Sequence, residues 1–310
     1  LFGNEIFIMK IMLTGSNGLL GQKLIEKISR DHSFELIATS LGNCVVNSDN
    51  IKYYDQKSNF LFFSAHGVNK EIDPYYEHTY KISLNGGVPK LLNNGDFNTM
   101  TYPSDNHKFF VNNFSRVNTT PKSNLINSDG SVIMNLETAD LSALFESGYK
   151  FPETFKAKAD DGITDLYGVI YKPFDFDENK EYPLLEYVYP GPQTESVNKS
   201  FSVRMDRLDR MAQLGFIVIT LGNRGGHPDR SKWYHNYGYG NLRDYGLADK
   251  KYVAQQLANR HDFIDINRVG IYGHSGGGFM STAAILVYPD FFKVAYSQAG
   301  NHDNLSLIHI

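Results

Sequence analysis

Apolar positions change their spacing three times along the chain. Residues 10–14 (KIMLT) form a short β-prone run, and a glycine turn follows it. Leu19, Leu20, Leu24 and Ile25 then recur at helical spacing up to about Ser29, and Phe34–Thr39 reads as a second strand. This predicts a β-turn-α-β opening that stops after Leu41-Gly42. From about Asn50 to Gly148 the runs are shorter: Phe60–Ser64, His78–Ser83, Phe109–Asn112 and Val132–Asn135. Asn85-Gly86-Gly87, Asn94-Gly95 and Asp129-Gly130 separate them, and Ala139–Glu146 reads as one short helix. Short strands with such turns predict antiparallel sheet, as in a sandwich or a propeller blade.

From Phe151 the period alternates between two and about 3.6. Thr154–Ala159 and Leu166–Tyr171 read as a hairpin around Asp160-Asp161-Gly162. Strands are then expected at Leu184–Tyr189, Phe216–Leu221, Arg268–Tyr272 and Val294–Ser297. Helices are expected at Phe201–Gln213, Leu242–Ala258 and Gly276–Tyr288. Strands alternating with helices build a mostly parallel sheet covered by helices.

Composition narrows the function classes. The 310 residues carry 30 Lys plus Arg against 34 Asp plus Glu, a net charge of −4, and no basic stripe, so a nucleic-acid partner is not expected. No run of about 18 apolar residues is present to span a membrane. The single cysteine, Cys44, excludes an internal disulfide framework and a multi-cysteine metal site. The ten histidines include no H-E-x-x-H. His227 and His235 read as loop residues, so no metal and no cofactor are expected.

The most informative residues are Gly273-His274-Ser275-Gly276-Gly277, a G-x-S-x-G pattern. The strand-like RVGIYG leads in and the helix-like GGFMSTAAILVY leads out. A serine on so sharp a strand-to-helix turn is held in a strained conformation with its hydroxyl raised above a helix amino end. Glycines on either side let neighbouring chain approach, and the free N–H groups there suit a developing oxyanion. The bland alternative is a glycine-rich turn that only packs a helix on a strand. Tyr189, before Pro190-Gly191-Pro192, ends the preceding strand, where its hydroxyl is placed to meet a carbonyl oxygen bound near Ser275; the alternative is a packed tyrosine before a turn.

EYPLLEYVYPGPQ, LGNRGG and DINRVGIYGHSGGGFMSTAAILVYPDFFKVA, in that order, resemble the prolyl oligopeptidase family of serine peptidases, within it the dipeptidyl-peptidase-IV-like branch. KEIDPYYEHTYKISLNG to NLETADLSALFESGYKFPETF is similar to the end of that branch's β-propeller. The resemblance covers roughly residues 50–304. It implies an α/β hydrolase domain capped by a propeller, cleaving short peptides after proline or a small residue through a Ser-Asp-His triad in that chain order. Ser275 is then the nucleophile, and the N–H of Gly276 with the hydroxyl of Tyr189 forms the oxyanion hole. Arg224 in GNRGG takes the place of the family's arginine-glycine loop and orders it by hydrogen bonds.

The resemblance also brings departures. The triad Asp and His are expected well downstream of the serine, and the chain ends at Ile310. His302 and Asp303 lie too close to Ser275 to take those roles. The paired glutamates that bind a substrate's amino end belong to earlier blades. Gly276 stands where an aromatic often walls the proline pocket. The expected fold class is therefore an incomplete α/β hydrolase lacking its C-terminal part, inactive as it stands, preceded by antiparallel propeller blades. Relatives are often periplasmic or secreted, and a homodimer of the intact parent stays open.

The opening has a likeness of its own. KIMLTGSNGLLGQKLIEKI, with Gly15, Gly18 and Gly21, resembles the start of dTDP-4-dehydrorhamnose-reductase-like short-chain reductases. The likeness implies a dinucleotide held at those glycines. Thr39-Ser40-Leu41 offers no acidic residue after the second strand, and one βαβ start encloses no dinucleotide. The closing LSLIHI is similar to a translated sequencing adapter. These features lead to the expectation of a chimaeric or truncated reading frame: a Rossmann-like fragment over 1–47, the end of a propeller over 48–150, the first part of a peptidase domain over 151–304, and an artefact tail over 305–310. A reductase fragment, an esterase on the same fold and a non-catalytic binding module remain the competing functions.

Overall fold

The computed structural model describes residues 9–14, 34–39, 51–55, 59–93, 95–191, 194–202, 207–241 and 244–302. They fall into two units, one of residues 1–114 and 122–137, the other of 115–121 and 138–310.

In the first unit β1 (Met9–Thr14) and β2 (Phe34–Thr39) pair in parallel, Met9 opposite Phe34 and Thr14 opposite Thr39. Gly15, Gly18, Gly21 and the helix expected after them lie outside the described residues. A two-stranded parallel pair does not amount to a dinucleotide fold, and the Rossmann-like fragment is not evidenced. β3 (Ile51–Asp55), β4 (Phe60–Ala65), β5 (His78–Ser83) and β6 (Lys90–Leu91) follow one another in an antiparallel sheet. β7 (Asn98–Pro103), β8 (Phe109–Ser115), β9 (Lys122–Asn127) and β10 (Val132–Thr138) form a second sheet in the order β10-β9-β8-β7.

Phe62 and Leu92 from the first sheet region meet Phe110 and Ile126 from the second in one core. Beside it runs a buried amide ladder. Asn93 Nδ2 donates to Thr101 Oγ1 at 2.9 Å and to Asn112 Oδ1 at 2.8 Å, and Asn112 Nδ2 donates to Asn124 Oδ1 at 3.1 Å. Every rung has a partner, so the polar line carries no desolvation penalty of orphaned groups. It also explains why β7 and β9 escape a reading by apolar alternation: their inward positions include Thr99, Thr101 and Asn124.

The second unit is built on a six-stranded sheet in the order β11-β12-β16-β13-β17-β18. β11 (Glu153–Lys158) and β12 (Asp165–Tyr171) form the expected antiparallel hairpin. β13 (Tyr182–Val188), β16 (Ile217–Leu221), β17 (Ile264–His274) and β18 (Phe292–Gln298) run parallel to one another. In the chain between β13 and β16, β14 (Pro190–Gly191) and β15 (Thr194–Glu195) form a separate two-stranded ladder. The helices are α1 (Ser142–Glu146), α2 (Arg207–Ala212), α3 (Lys232–Asn236), α4 (Leu247–Arg260) and α5 (Gly276–Val287).

Period two sorts the sheet's side chains. Leu184, Val188, Ile217, Ile219, Val269 and Ile271 face Val253 and Leu257 of α4 and Met280 and Ala284 of α5. Val169, Tyr171 and Val218 face Leu208 and Ala212 of α2 on the other side. Beyond α2 that second face is open, a groove of about 890 Å³ whose walls include Leu185, Tyr187, Arg210, Tyr272 and Tyr296.

Three expected elements are corrected. The helix read over Phe201–Gln213 is confined, among the described residues, to α2; the Phe201 ring packs edge-on against Tyr149 and Phe151, and its N–H donates to Ser115 Oγ at 3.2 Å. The helix read from Leu242 starts at Leu247, because Gly246 takes a left-handed φ of 77°. Pro190-Gly191, read as a turn, is a strand paired with Thr194–Glu195. Among the described residues no helix is long and apolar enough to cross a membrane.

Candidate active site

β17 lies between β13 and β18, and its last residue, His274, hands the chain to Ser275 and α5. Ser275 has φ 55° and ψ −118°, a conformation costing a non-glycine residue about 1–3 kcal/mol. Two contacts hold it: its N–H donates to Gln298 O at 2.8 Å, and its carbonyl accepts the N–H of Phe279 at 3.0 Å. A serine at a helix start usually spends its hydroxyl capping the helix. Ser275 makes no such bond, and its hydroxyl has no hydrogen-bond partner among the described residues. It is half-buried.

The glycines are required by their neighbours. A Cβ on Gly273 would sit 2.3 Å from Val188 O, and one on Gly277 2.0 Å from the same oxygen. A Cβ on Gly276 would lie 2.6 Å from Pro190 O, and one on Gly278 2.6 Å from Gln298 O. Backbone crowds all four positions, so no side-chain rotation relieves a substitution. These approaches press the Val188–Pro190 segment against the turn, with the Tyr189 Cα 3.3 Å from where a Cβ on Gly277 would stand. The Gly276 N–H opens α5 and is one of the first-turn amides without an intrahelical acceptor. Tyr189 is half-buried, and its hydroxyl has no hydrogen-bond partner among the described residues.

His274 falls on the other side of the strand. It alternates with Gly273 and lines the groove near Tyr272, and its Nδ1 is buried without a partner. Ser275 is not among the residues that line that groove. His302 lies on the first turn of α5, its ring stacked on Phe279 at 6.1 Å and its Nε2 3.4 Å from Ser297 Oγ. Asp303 lies outside the described residues.

The second unit also holds a charged network that the sequence reveals only at Arg224. Asp249 is fully buried at the start of α4. Its Oδ1 accepts from Arg224 Nη2 at 2.7 Å and from the Asp160 N–H at 3.0 Å, and its Oδ2 accepts from the Arg224 N–H at 3.0 Å. Arg224 also donates to Asp161 Oδ2 at 3.1 Å, and its guanidinium lies 4.4 Å above the Tyr237 ring. Burial pushes the Asp161 carboxyl up, but the Thr164 hydroxyl, the N–H groups of Thr164 and Ile163, and Arg224 together bring it down to about 2.

The next residue, Lys250, serves a different strand. Its Nζ donates to Leu221 O at 2.5 Å and stands 3.7 Å from Glu186 Oε1, an ion pair too long for a hydrogen bond. Glu186 is wholly buried in the middle of β13, and both its oxygens lack hydrogen-bond partners. Burial raises its carboxyl to about 7 against the pull of Lys250, and burial likewise lowers the Lys250 ammonium. In the sequence Asp249-Lys250 looks like an ordinary solvated pair on a helix, and only the topology shows both side chains pointing inward.

His235 Nδ1 lies 2.8 Å from Gly226 O, and His227 Nδ1 lies 3.5 Å from Asp229 Oδ2. Among the described residues no three His, Cys, Asp or Glu side chains are grouped to hold a metal.

Two family models match the chain. The prolyl oligopeptidase family matches residues 201–310, and the dipeptidyl peptidase IV N-terminal region matches residues 16–121. The second match crosses the segment read as a reductase opening and the expected junction, and the reductase-like and chimaeric readings find no support. Human dipeptidyl peptidase 8 is 39% identical over 152 residues, which are 49% of this chain and 17% of that protein. A probable dipeptidyl-aminopeptidase B of Arthroderma otae is 29% identical over 241 residues, 73% of this chain and 24% of that protein. A solved structure of a putative dipeptidyl aminopeptidase IV from Bacteroides ovatus superposes with a TM-score of 0.69 at 26% identity, covering 82% of this chain and 35% of that one. The chain thus spans between about a sixth and about a third of the length of these relatives. With antiparallel sheets in one unit and a strand–serine–helix turn on a mostly parallel sheet in the other, the chain is similar to the prolyl oligopeptidase family over residues 201–310 and to the dipeptidyl peptidase IV N-terminal region over residues 16–121.

Proposed function

We propose that the chain is part of a serine dipeptidyl peptidase in which Ser275 attacks the scissile carbonyl of a short peptide. The observation that carries this reading is the Ser275 backbone at φ 55°, ψ −118°, with a hydroxyl that caps nothing. The serine proton passes to a histidine acting as general base, the carbonyl oxygen becomes an oxyanion, and collapse expels the amine and leaves an acyl-enzyme that water hydrolyses. No described histidine hydrogen-bonds the Ser275 hydroxyl, so the base is to be identified in the intact protein.

The oxyanion is assigned to the Gly276 N–H and the Tyr189 hydroxyl. The glycine contacts support this pairing by packing the Tyr189 segment onto the start of α5. A donor aimed where charge develops contributes about 3–4 kcal/mol, and it does so only in the transition state. Specificity for proline over a small residue is a finer matter, because Gly276 supplies no aromatic wall.

The test is release of p-nitroaniline from Gly-Pro and Ala-Ala amides by the full-length protein, together with fluorophosphonate labelling. Labelling confined to Ser275, and amide cleavage lost in Ser275→Ala, are expected. Cleavage that survives Ser275→Ala refutes the assignment, and cleavage of esters without amides replaces it by an esterase.

A further inference from the structure

Beyond its packing against the glycines of the turn, the Tyr189 segment leans on a short ribbon. It continues into β14, which pairs with β15 through only two residue pairs, Pro190 with Glu195 and Gly191 with Thr194. Pro190 has no N–H to give that ladder, and an isolated two-stranded ribbon is marginal in water. What fixes the ribbon is a side chain on its return strand. Glu195 is buried, and its Oε1 accepts the Tyr234 hydroxyl at 2.6 Å and the Asn223 N–H at 3.3 Å. Gly226 makes room for it: a Cβ there would sit 1.9 Å from Oε1.

The anchorage is itself rigid. Tyr234 donates its N–H to the Ser231 hydroxyl at 3.1 Å, accepts the Gly225 N–H at 2.7 Å, and lies under the Arg230 guanidinium at 4.6 Å. On the other side of the ribbon, the Pro190 carbonyl is the atom that Gly276 admits by lacking a side chain. A continuous path therefore runs from the 222–226 loop through Glu195 and Pro190 to the start of α5, with Tyr189 in the middle.

We propose that Glu195 is the positioning residue for Tyr189: its buried carboxylate pins the β14–β15 ribbon so that the Tyr189 hydroxyl is held beside the Gly276 N–H. This rests on the reading of Tyr189 as an oxyanion donor. A donor must stand within about 3 Å of the oxyanion, and a misplacement of about 1 Å costs about 100-fold in rate. Glu195 touches no substrate; it acts through Tyr189.

The experiment is a double-mutant cycle in the full-length protein, with kcat and KM for a dipeptidyl p-nitroanilide measured for Tyr189→Phe, Glu195→Ala, Glu195→Gln and the double variant Tyr189→Phe/Glu195→Ala. Tyr189→Phe is expected to lower kcat by about 100-fold or more. Glu195→Ala is expected to lower kcat by about 10-fold or more with KM nearly unchanged, and the double variant to be no slower than Tyr189→Phe. Glu195→Gln keeps the accepting oxygen and is expected to stay within about 3-fold of wild type. If Glu195→Ala fails to fold, Glu195→Asp, which withdraws the carboxylate by one methylene, carries the same expectation. Losses that multiply in the double variant, or a raised KM with kcat intact, overturn the proposal for Glu195. An unchanged kcat in Tyr189→Phe instead overturns the reading of Tyr189 on which it rests.

Discussion

Replacing Asp249 by Ala tests whether the buried network holds the second unit's loops in place. The substitution removes a carboxylate that is 0% exposed and leaves the Arg224 guanidinium, only 12% exposed, without its main counter-charge. It also strips acceptors from the Asp160 and Arg224 N–H groups. Breaking one side of a buried ion pair costs about 3–5 kcal/mol, and each stranded amide adds to the upper end of that range. Asp161 at 3.1 Å and the Tyr237 ring recover part of the loss, so about 4 kcal/mol is expected. Hydrogen exchange is the suitable assay, since it reads local opening without assuming that both units unfold together. Amides around Asp160 and Arg224 should exchange about 1,000-fold faster in Asp249→Ala, and Asp249→Asn should fall between the two. A change under about 10-fold would mean that the arginine finds water or another partner at no cost, and the claim that this network fixes the 222–226 loop would fail.

Four other outcomes follow from the geometry. Gly277→Ala should prevent stable folding of the second unit or cost about 3 kcal/mol or more, because its Cβ would lie 2.0 Å from a strand carbonyl; urea unfolding followed by circular dichroism checks it. Ser275→Gly should raise stability by about 1 kcal/mol while abolishing any serine-dependent activity, since glycine tolerates φ 55° and ψ −118°; a lower unfolding midpoint contradicts the strain. Glu186 has its carboxyl raised in the fold to about 7, so its contribution is fully present below the ordinary carboxylate range and is lost as pH rises through about 7; Glu186→Gln should flatten stability against pH between about 4.5 and 7, a slope on the order of 3 kcal/mol in wild type. Asp161 works in the opposite sense: held down to about 2, it stabilises above the ordinary range and is lost as pH falls toward 2, so Asp161→Asn should weaken the acid-unfolding arm measured by circular dichroism.

Much of the second unit was legible in sequence because its strands are near-continuous apolar runs. Ile217–Leu221 is buried at every position, and such a run flanked by helical periods permits little else. The turn at Ser275 was legible for a related reason, since glycine on both sides of a serine between a strand and a helix is a backbone requirement written directly in residue types. The ribbon at 190–195 and the pair Asp249-Lys250 were not. Pro190-Gly191 carries the residues of a turn, and only the position of Thr194–Glu195 across from it makes it a strand. Lys250 and Glu186 are 64 positions apart in the numbering and meet only because α4 packs over the centre of the sheet. In the first unit, strands whose inward positions are Thr and Asn hide their alternation, since they satisfy burial through an amide ladder instead of apolar contact.

Four residues without side chains, Gly273, Gly276, Gly277 and Gly278, surround Ser275, and backbone oxygens fill the space where side chains would stand. At Gly273, Gly277 and Gly278 the chain is therefore closed to variation, and these positions offer no surface that selection can reshape to prefer one ligand over another. Discrimination has to be delegated to positions that can bear exchangeable side chains, so relatives that differ in preference should diverge at position 276 and in the surrounding loops and keep those three glycines unaltered.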